Sequence, residues 1–399
     1  MIELKEIINN TRIWYCLDCG KCSAVCPISR WGYGTYTSPR LLVEKSINGR
    51  KEDVVDDPLF WSCLTCEHCT ILCPSDVHFT EFLYEARSTA REHNRTAKCT
   101  HGEVIQSWGR MMVHPDLRQN RLGWITPDLK ISNNSDTLFF VGCLPYYDPI
   151  FRNIDFEGVR IAQAAVKIMN SLGIEPQVLA NENCCGHDQL RSGEKHIFAG
   201  LAAKNIKMFK ESGAKRIIST CPECVSTLKI DYPNLIADHG MEVIHITELI
   251  ANTELSKKLL HEDSVNLTVT YQDPCSLGRH LGIYDMPRNI MENSGVEIIE
   301  MERTREASLC CGTSCWISCG QTSKNIQVER LKEAKASGAE RLITSCPKCQ
   351  IHFKCAQNDP LLSEDINIHI QDLTTLIAES LTTQSTKEPI KEVEIDSRQ

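Results

Sequence analysis

A run of thirteen residues occurs twice, nearly unchanged: SGAKRIISTCPEC from Ser212 to Cys224 and SGAERLITSCPKC from Ser337 to Cys349. Upstream of each copy stands a CCG tripeptide, Cys184-Cys185-Gly186 and Cys310-Cys311-Gly312. Further upstream comes a single cysteine just past an apolar run, with TLFFVGC ending at Cys143 and LTVTYQDPC at Cys275. Downstream, VIHITELI around His245 is echoed by NIHIQDLT around His369. A duplication over the whole block from about 136 to 380 commits the chain to two copies of one supersecondary unit. Each copy is expected to run strand, helix, strand, CCG turn, helix, strand, CxxC, helix, strand, helix. Short β-branched runs such as RIIST and EVIHI alternate with helical runs such as GLAAKNIKMFKES. That alternation predicts one parallel sheet per copy with helices on its faces. The cysteines then fall where strands end and helices begin, the usual place for sites in open α/β folds.

Cysteine is the one outlier in composition, with 22 in 399 residues. Such a density serves either a disulfide framework in a secreted protein or metal ligands in a reducing compartment. The N-terminus, MIELKEIINNTRIWYC, carries acidic residues and no apolar core, unlike a secretory signal. No stretch approaches the ~18 apolar residues of a membrane span. The expectation is a soluble, cytoplasmic protein, or one peripheral to a membrane through a partner, whose thiols are free to bind metal. A net charge of -9 argues against a phosphate-tracking surface, so no nucleic-acid partner is expected. Neither a GxGxxG after a strand nor a P-loop is present, so flavin or nicotinamide chemistry is assigned to another subunit.

The first 95 residues hold two further runs, Cys16-x-x-Cys19-x-x-Cys22-x-x-x-Cys26-Pro27 and Cys63-x-x-Cys66-x-x-Cys69-x-x-x-Cys73-Pro74. Both reproduce the bacterial two-cluster ferredoxin spacing, in which the fourth cysteine turns away to ligate the other cluster. Cys16, Cys19, Cys22 and Cys73 are therefore assigned to one cubane, and Cys63, Cys66, Cys69 and Cys26 to the second. Zinc also uses CxxC pairs, but four ligands suffice for it and the third cysteine and the Cys-Pro step would be surplus. The gap between the runs reads as a helix from Pro39 to about Asn48, with Ser38 as N-cap and Gly49 as stop. This favours an all-helical ferredoxin over a β-hairpin one, with Trp31 and Trp61 packing around the cubanes. The fold class expected is thus α/β: an N-terminal all-helical ferredoxin domain (1–95), a connector (96–135) with a helix near Gly102 to Met112, two repeated α/β modules (136–262 and 263–380), and a disordered tail (381–399).

The modules offer five cysteines each: Cys143, Cys184, Cys185, Cys221 and Cys224, then Cys275, Cys310, Cys311, Cys346 and Cys349. Five thiolates exceed what a cubane or a zinc requires, and adjacent cysteines suit two irons of a larger assembly better than one metal. Gly186 and Gly312 would let the backbone turn tightly beneath it. The alternative is zinc on the CxxC pairs, with the CCG cysteines buried as small apolar residues. The pattern C-x(~40)-CCG-x(~35)-CPxC, twice, resembles the cysteine-rich domain of heterodisulfide reductase catalytic subunits, and the N-terminal block resembles the small ferredoxin subunit of the same enzymes. From about 10 to 380 the chain resembles the fused catalytic subunit of that family.

The resemblance implies two cubane and two non-cubane [4Fe–4S] clusters, one non-cubane cluster on each five-cysteine set, and a disulfide split between the pair. It implies partners among other redox subunits, flavin-containing or membrane-bound, and a small disulfide or thiol as substrate. The ten cysteines of the two sets are all present and carry the expected catalytic role. The rival expectation is a pure relay toward a quinone, flavin or aromatic-CoA reductase partner. Two departures lie beside the second set: Ser276 stands where many relatives have histidine, and Thr313 to Cys319 (TSCWISC) replaces a small glycine-rich stretch. Cys315 and Cys319 are expected at helical i, i+4 spacing, chiefly for packing, and Cys99 and Cys355 as ordinary buried thiols. His187 is expected to be structural rather than a proton donor, and Arg279 and His280 to make local pairs rather than greet an anionic substrate.

Overall fold

A computed structural model describes residues 4–32, 36–253, 267–362 and 364–385. From Leu4 to Glu92 every regular element is helical, the longest being Pro39–Asn48 and Phe79–Glu92. Local chemistry sets these starts. Pro27, Pro39 and Pro58 each occupy the first helical position, where a missing N–H costs nothing. The Ser38 hydroxyl accepts from Leu41 N at 3.3 Å, and the Asp57 carboxylate accepts from Leu59 N at 2.8 Å. Gly49 ends the first long helix where expected.

Two parallel sheets follow. The first is ordered β1–β2–β3, from Thr137–Phe139, Arg216–Ser219 and Glu242–His245, with Leu138 opposite Ile217 and Ile217 opposite Val243. The second is ordered β5–β4–β6–β7, in which β4 is Thr268–Gln272, β5 Glu297–Ile298, β6 Arg341–Thr344 and β7 His369–Asp372. Helices cover their faces, so the central strands read as continuous apolar runs.

The second strand expected in the first copy is reduced to a single bridge between Gln177 and Leu138. Pro176 has no N–H to extend the ladder, and the Ala180 carbonyl is taken by Arg121 N of the connector at 3.2 Å. Its counterpart in the second copy survives as β5. The connector helix runs Val104–Met112, and residues 113–136 carry no helix or strand. The last helix, Leu373–Ser385, runs into the segment expected as tail and packs on Gly158–Ser171 of the first module. Residues 386–399, also expected as tail, lie outside the described residues.

One apolar core unites the sheet of the first module with Trp316, Ile343 and Leu373 of the second. Another joins Phe60, Phe82 and Leu83 of the N-terminal block to Leu342, Phe353, Cys310 and Cys311 of the second module. The helical block thus packs on the second module, and it also reaches the first, where Arg87 Nη1 donates to Arg191 O at 2.8 Å and Lys195 pairs with Glu85 at 2.7 Å. Among the described residues no helix is long and apolar enough to cross a membrane.

Candidate metal centres

Each N-terminal cysteine run is bent into a cradle by left-handed residues two and four positions after its first cysteine: Asp18 and Gly20 in one, Thr65 and Glu67 in the other. Cys22 lies in the short helix Lys21–Val25, packed against His68–Ile71, which carries Cys69. Cys26 caps the next helix and lines one cavity with Cys63, Cys66 and Cys69 of the other run. Cys19 is exposed and Cys16, Cys22 and Cys73 half-buried, whereas Cys26 and Cys66 are buried. Burial pushes the Cys26 thiol up to about 11 and Cys63 up to about 12. Trp31 and Trp61 pack against the same core as Cys16, Cys63, Cys69 and Cys73.

In the first module Cys143 closes the turn after β1, Cys184 and Cys185 precede the helix His187–Arg191, and Cys221 caps the helix that carries Cys224. All five line one pocket, with Cys143 Sγ 3.7 Å from Cys184 Sγ. In the second module Cys275, Cys311, Cys346 and Cys349 line one pocket, and Cys310 is buried next to Cys311. Gly186 and Gly312 take φ of +83° and +84°, and a Cβ at Gly186 would lie 2.8 Å from Phe198, so the tight turns expected there are real. Gly142, at φ +62°, brings the backbone to the sulfurs, since a Cβ there would lie 3.1 Å from Cys224 Sγ.

These sets fit iron–sulfur clusters on their donor chemistry. Converging thiols are soft ligands that must lose their protons to bind iron, and backbone N–H groups already aim at sulfur: Gly186 N at 3.4 Å from Cys184 Sγ and Thr65 N at 3.5 Å from Cys63 Sγ. In both modules the CxxC pair sits in the first turn of a helix, whose dipole favours thiolate.

The two five-cysteine sets share a wall of His187, Glu223 and Lys348. Buried Lys348 Nζ reaches Asp188 at 2.6 Å and Glu223 at 2.7 Å, and lies 5.4 Å from the Trp316 ring centre. Burial pushes the Asp188 and Glu223 carboxyls up and would push Lys348 down, but the two carboxylates hold the ammonium charged. Glu223 and Lys348 occupy the same motif position in the two copies, CPEC and CPKC, so the repeats meet motif to motif through opposite charges. The sequence signal of this contact is the charge swap at one repeat position, Glu223 against Lys348. His187 is a buried core histidine, with Nδ1 3.0 Å from Thr227 Oγ1 and Nε2 3.7 Å from Glu223.

The N-terminal block touches the second set directly. Cys66 and Cys310 sit in one buried core, where the Cys310 thiol and the nearby Arg279 guanidinium hold Cys66 below its usual range. Arg279 Nε donates to Cys66 O at 2.6 Å, His280 Nε2 lies 3.0 Å from Thr65 O, and Thr65 Oγ1 bonds Ser314 Oγ at 3.0 Å. Arg279 and His280 thus clamp two blocks together, a longer reach than the local pairing expected. The helix expected through Cys315 and Cys319 is absent: Cys315, Trp316 and Ser318 all have positive φ, because Trp316 O is tied to Thr100 N and Ser318 N to Lys98 O. Cys99 and Cys355 are half-buried rather than buried, and both line a cleft with Cys319.

Comparison with known proteins agrees with this arrangement. A cysteine-rich domain family matches residues 137–229 and 269–354, and a 4Fe-4S dicluster domain family matches 12–77. The chain is 32% identical over 272 residues to a dihydromethanophenazine:CoB–CoM heterodisulfide reductase subunit of Methanosarcina mazei, covering 66% of this chain and 63% of that one. It is 31% identical over 222 residues to EtfAB:quinone oxidoreductase of Syntrophomonas wolfei, covering 53% and 30%. To a fumarate reductase (CoM/CoB) subunit of Methanothermobacter marburgensis it is 30% identical over 221 residues, covering 54% and 41%. The matches span less than two thirds of the length of these relatives. The cofactors are accordingly [4Fe–4S] clusters, including the non-cubane kind.

Proposed function

Because the chain belongs to the heterodisulfide-reductase-like family of iron–sulfur oxidoreductases, we propose that it is the fused electron-transfer and catalytic subunit of a heterodisulfide-reductase-like complex. In this reading Cys16, Cys19, Cys22 and Cys73 hold one cubane, and Cys63, Cys66, Cys69 and Cys26 the other. Cys143, Cys184, Cys185, Cys221 and Cys224 hold one non-cubane cluster, and Cys275, Cys310, Cys311, Cys346 and Cys349 the second. When bound, these groups supply one-electron redox chemistry and iron that takes up sulfur.

The chain's own residues set the order of transfer. Exposed Cys19 marks the end where a flavin-containing or membrane-bound redox partner docks. The Cys66–Cys310 contact, clamped by Arg279 and His280, makes the second module the first to be reached. Lys348 and Glu223 then hold the two cysteine sets against one wall. Overall a disulfide gains two electrons and two protons, its S–S bond breaks, and two thiols leave. The observation that carries this reading is the pair of complete sets sharing a wall. One-electron carriers that perform a two-electron cleavage need two adjacent acceptors.

The test is a titration of the oxidised, anaerobically purified protein with small thiols and a coenzyme M–coenzyme B type disulfide. A thiol-dependent change in a paramagnetic signal is expected, and Cys310→Ala and Cys185→Ala should each remove it. No response to any thiol, with electron transfer to a protein partner intact, would decide for the relay. The similarity to EtfAB:quinone oxidoreductase favours that second reading, in which the same sets pass electrons to a quinone, flavin or aromatic-CoA reductase partner.

A further inference from the structure

The two five-cysteine sets face the N-terminal block unequally. Leu64 and Thr65 of that block line the pocket of the second set, whereas the described lining of the first set's pocket comes from the two modules alone. The route of an electron to the first set therefore runs through the second. The side chains that span this interval form one chain of contacts with Trp316 at its centre.

On the side of the second set, His352 stands one turn after Cys349 on the helix Pro347–Gln357, and its Nδ1 lies 3.3 Å from Cys311 Sγ. The His352 ring meets the Trp316 indole edge-on, with ring centres 5.1 Å apart. Trp316 Nε1 donates to the Tyr147 hydroxyl at 3.0 Å. Tyr147 stands one turn after Cys143, donates its backbone N–H to Cys143 O at 2.9 Å, and lines the pocket of the first set. Trp316, Tyr147 and His352 are 1%, 3% and 4% exposed, so the chain of contacts is shut off from bulk solvent.

The indole is placed at a conformational cost. Trp316 has a φ of +56°, a left-handed backbone that a bulky residue rarely adopts and that persists where its surroundings fix it. Three donors fix it through one carbonyl: Thr100 N at 2.8 Å, Thr100 Oγ1 at 2.9 Å and Gln106 Nε2 at 3.1 Å all reach Trp316 O. Phe151 stacks on the indole, with ring centres 5.2 Å apart. In the first copy the residue equally far beyond the CCG is Leu190, inside an ordinary helix. Strain of this kind collects at functional sites. Here it holds an aromatic ring where the other copy has none.

We propose that Trp316 is the positioning residue that couples the two cysteine sets, carrying electrons from the second to the first through His352 and Tyr147. The proposal rests on the iron–sulfur reading of both sets and adds the route by which the first set receives its electron. Electron tunnelling weakens steeply with distance, and more steeply across a gap than through bonded or closely packed atoms. The rings fill what would otherwise be a gap. One electron leaves the second set and one reaches the first; no bond breaks, no proton moves and no ring is oxidised.

Iron-loaded protein, mixed anaerobically with a limiting amount of reduced viologen and freeze-quenched at increasing times, tests this by paramagnetic resonance. Two phases are expected, with the second set reduced before the first, and Cys310→Ala and Cys185→Ala assign them. Trp316→Leu should slow the later phase severalfold and leave the earlier one unchanged. Iron content and the midpoint potentials of both sets should stay at parental values. Tyr147→Phe keeps the ring and removes only the hydroxyl that Trp316 Nε1 bonds, so it tests the coupling without opening a cavity. It should slow the later phase to a lesser degree. A parental later phase in Trp316→Leu overturns the proposal; should that variant lose iron, a parental later phase in Tyr147→Phe does so. Slowing that comes with shifted potentials is a structural effect and overturns it as well. If the variants slow the later phase but the parent reduces no disulfide, the disulfide reading fails and the bridge stands. Zinc in place of iron in either module overturns both.

Discussion

Replacing Lys348 with methionine removes a buried ammonium between the two cysteine sets. Its ammonium bridges Asp188 and Glu223 at 2.6 and 2.7 Å, with the Lys348 and Asp188 side chains 4% and 8% exposed. Breaking a buried ion pair by deleting one partner costs about 3–5 kcal/mol, because the charge left behind has lost both water and partner. Methionine keeps the chain volume and its contact with the Trp316 ring, so the loss isolates the charge. The unfolded fraction should rise roughly two hundred- to five thousand-fold, read as a lower midpoint in anaerobic urea unfolding followed by circular dichroism. Glu223→Gln in the parent should cost less, since Asp188 still pairs with Lys348. In the Lys348→Met background the same change should be milder still or stabilising, because it removes a stranded carboxylate; the coupling should reach about 1–3 kcal/mol. Lowering the pH should narrow the gap between Lys348→Met and the parent. Without the ammonium the folded carboxyls bind protons more tightly than the unfolded chain does, so stability rises as pH falls. A loss below about 1 kcal/mol, or additive effects in the double variant, would refute the view that this wall is held by charge.

Anaerobically purified protein should carry about 16 irons and no stoichiometric zinc by elemental analysis, whereas about 8 irons plus zinc would leave only the N-terminal clusters standing. Gly186→Ala should cost about 2 kcal/mol or more in the same unfolding assay, because φ is +83° and the new Cβ lies 2.8 Å from Phe198; a neutral effect would contradict the turn. Burial raises the Asp372 carboxyl to about 7, against ~3.9 in an unfolded chain. This group's stabilisation is therefore full below about pH 4 and lost as pH rises through 7, and Asp372→Asn should remove that slope from the pH dependence of unfolding. Cys19→Ser should slow electron entry while leaving the module absorption intact, since exposed Cys19 lies apart from both five-cysteine sets; loss of every cluster signal would contradict the separation.

Local chemistry left a clear record in the sequence. Spacing marked the two ferredoxin runs and the CxxC pairs, because ligand chelation works over a few bonds and fixes intervals, and duplication marked the two five-cysteine sets. Periodicity marked the parallel strands, because buried strands need continuous apolar runs, and Ser38, Pro39 and Gly49 marked a helix by satisfying its end groups. Contacts between distant segments were not legible in the same way. The extra strand of the first module is lost because Arg121, far away in the chain, takes a carbonyl it needs. The stretch from Thr313 to Cys319 has helical cysteine spacing, yet hydrogen bonds to Lys98 and Thr100 hold it in left-handed turns. Arg279 finds Cys66 O, Lys348 finds Glu223, and Cys99 joins Cys319 and Cys355 only once three blocks have packed. Propensity and ligand spacing act within a few residues and can be read along the chain, but pairing across a hundred or more residues depends on which surfaces meet, and packing alone decides that.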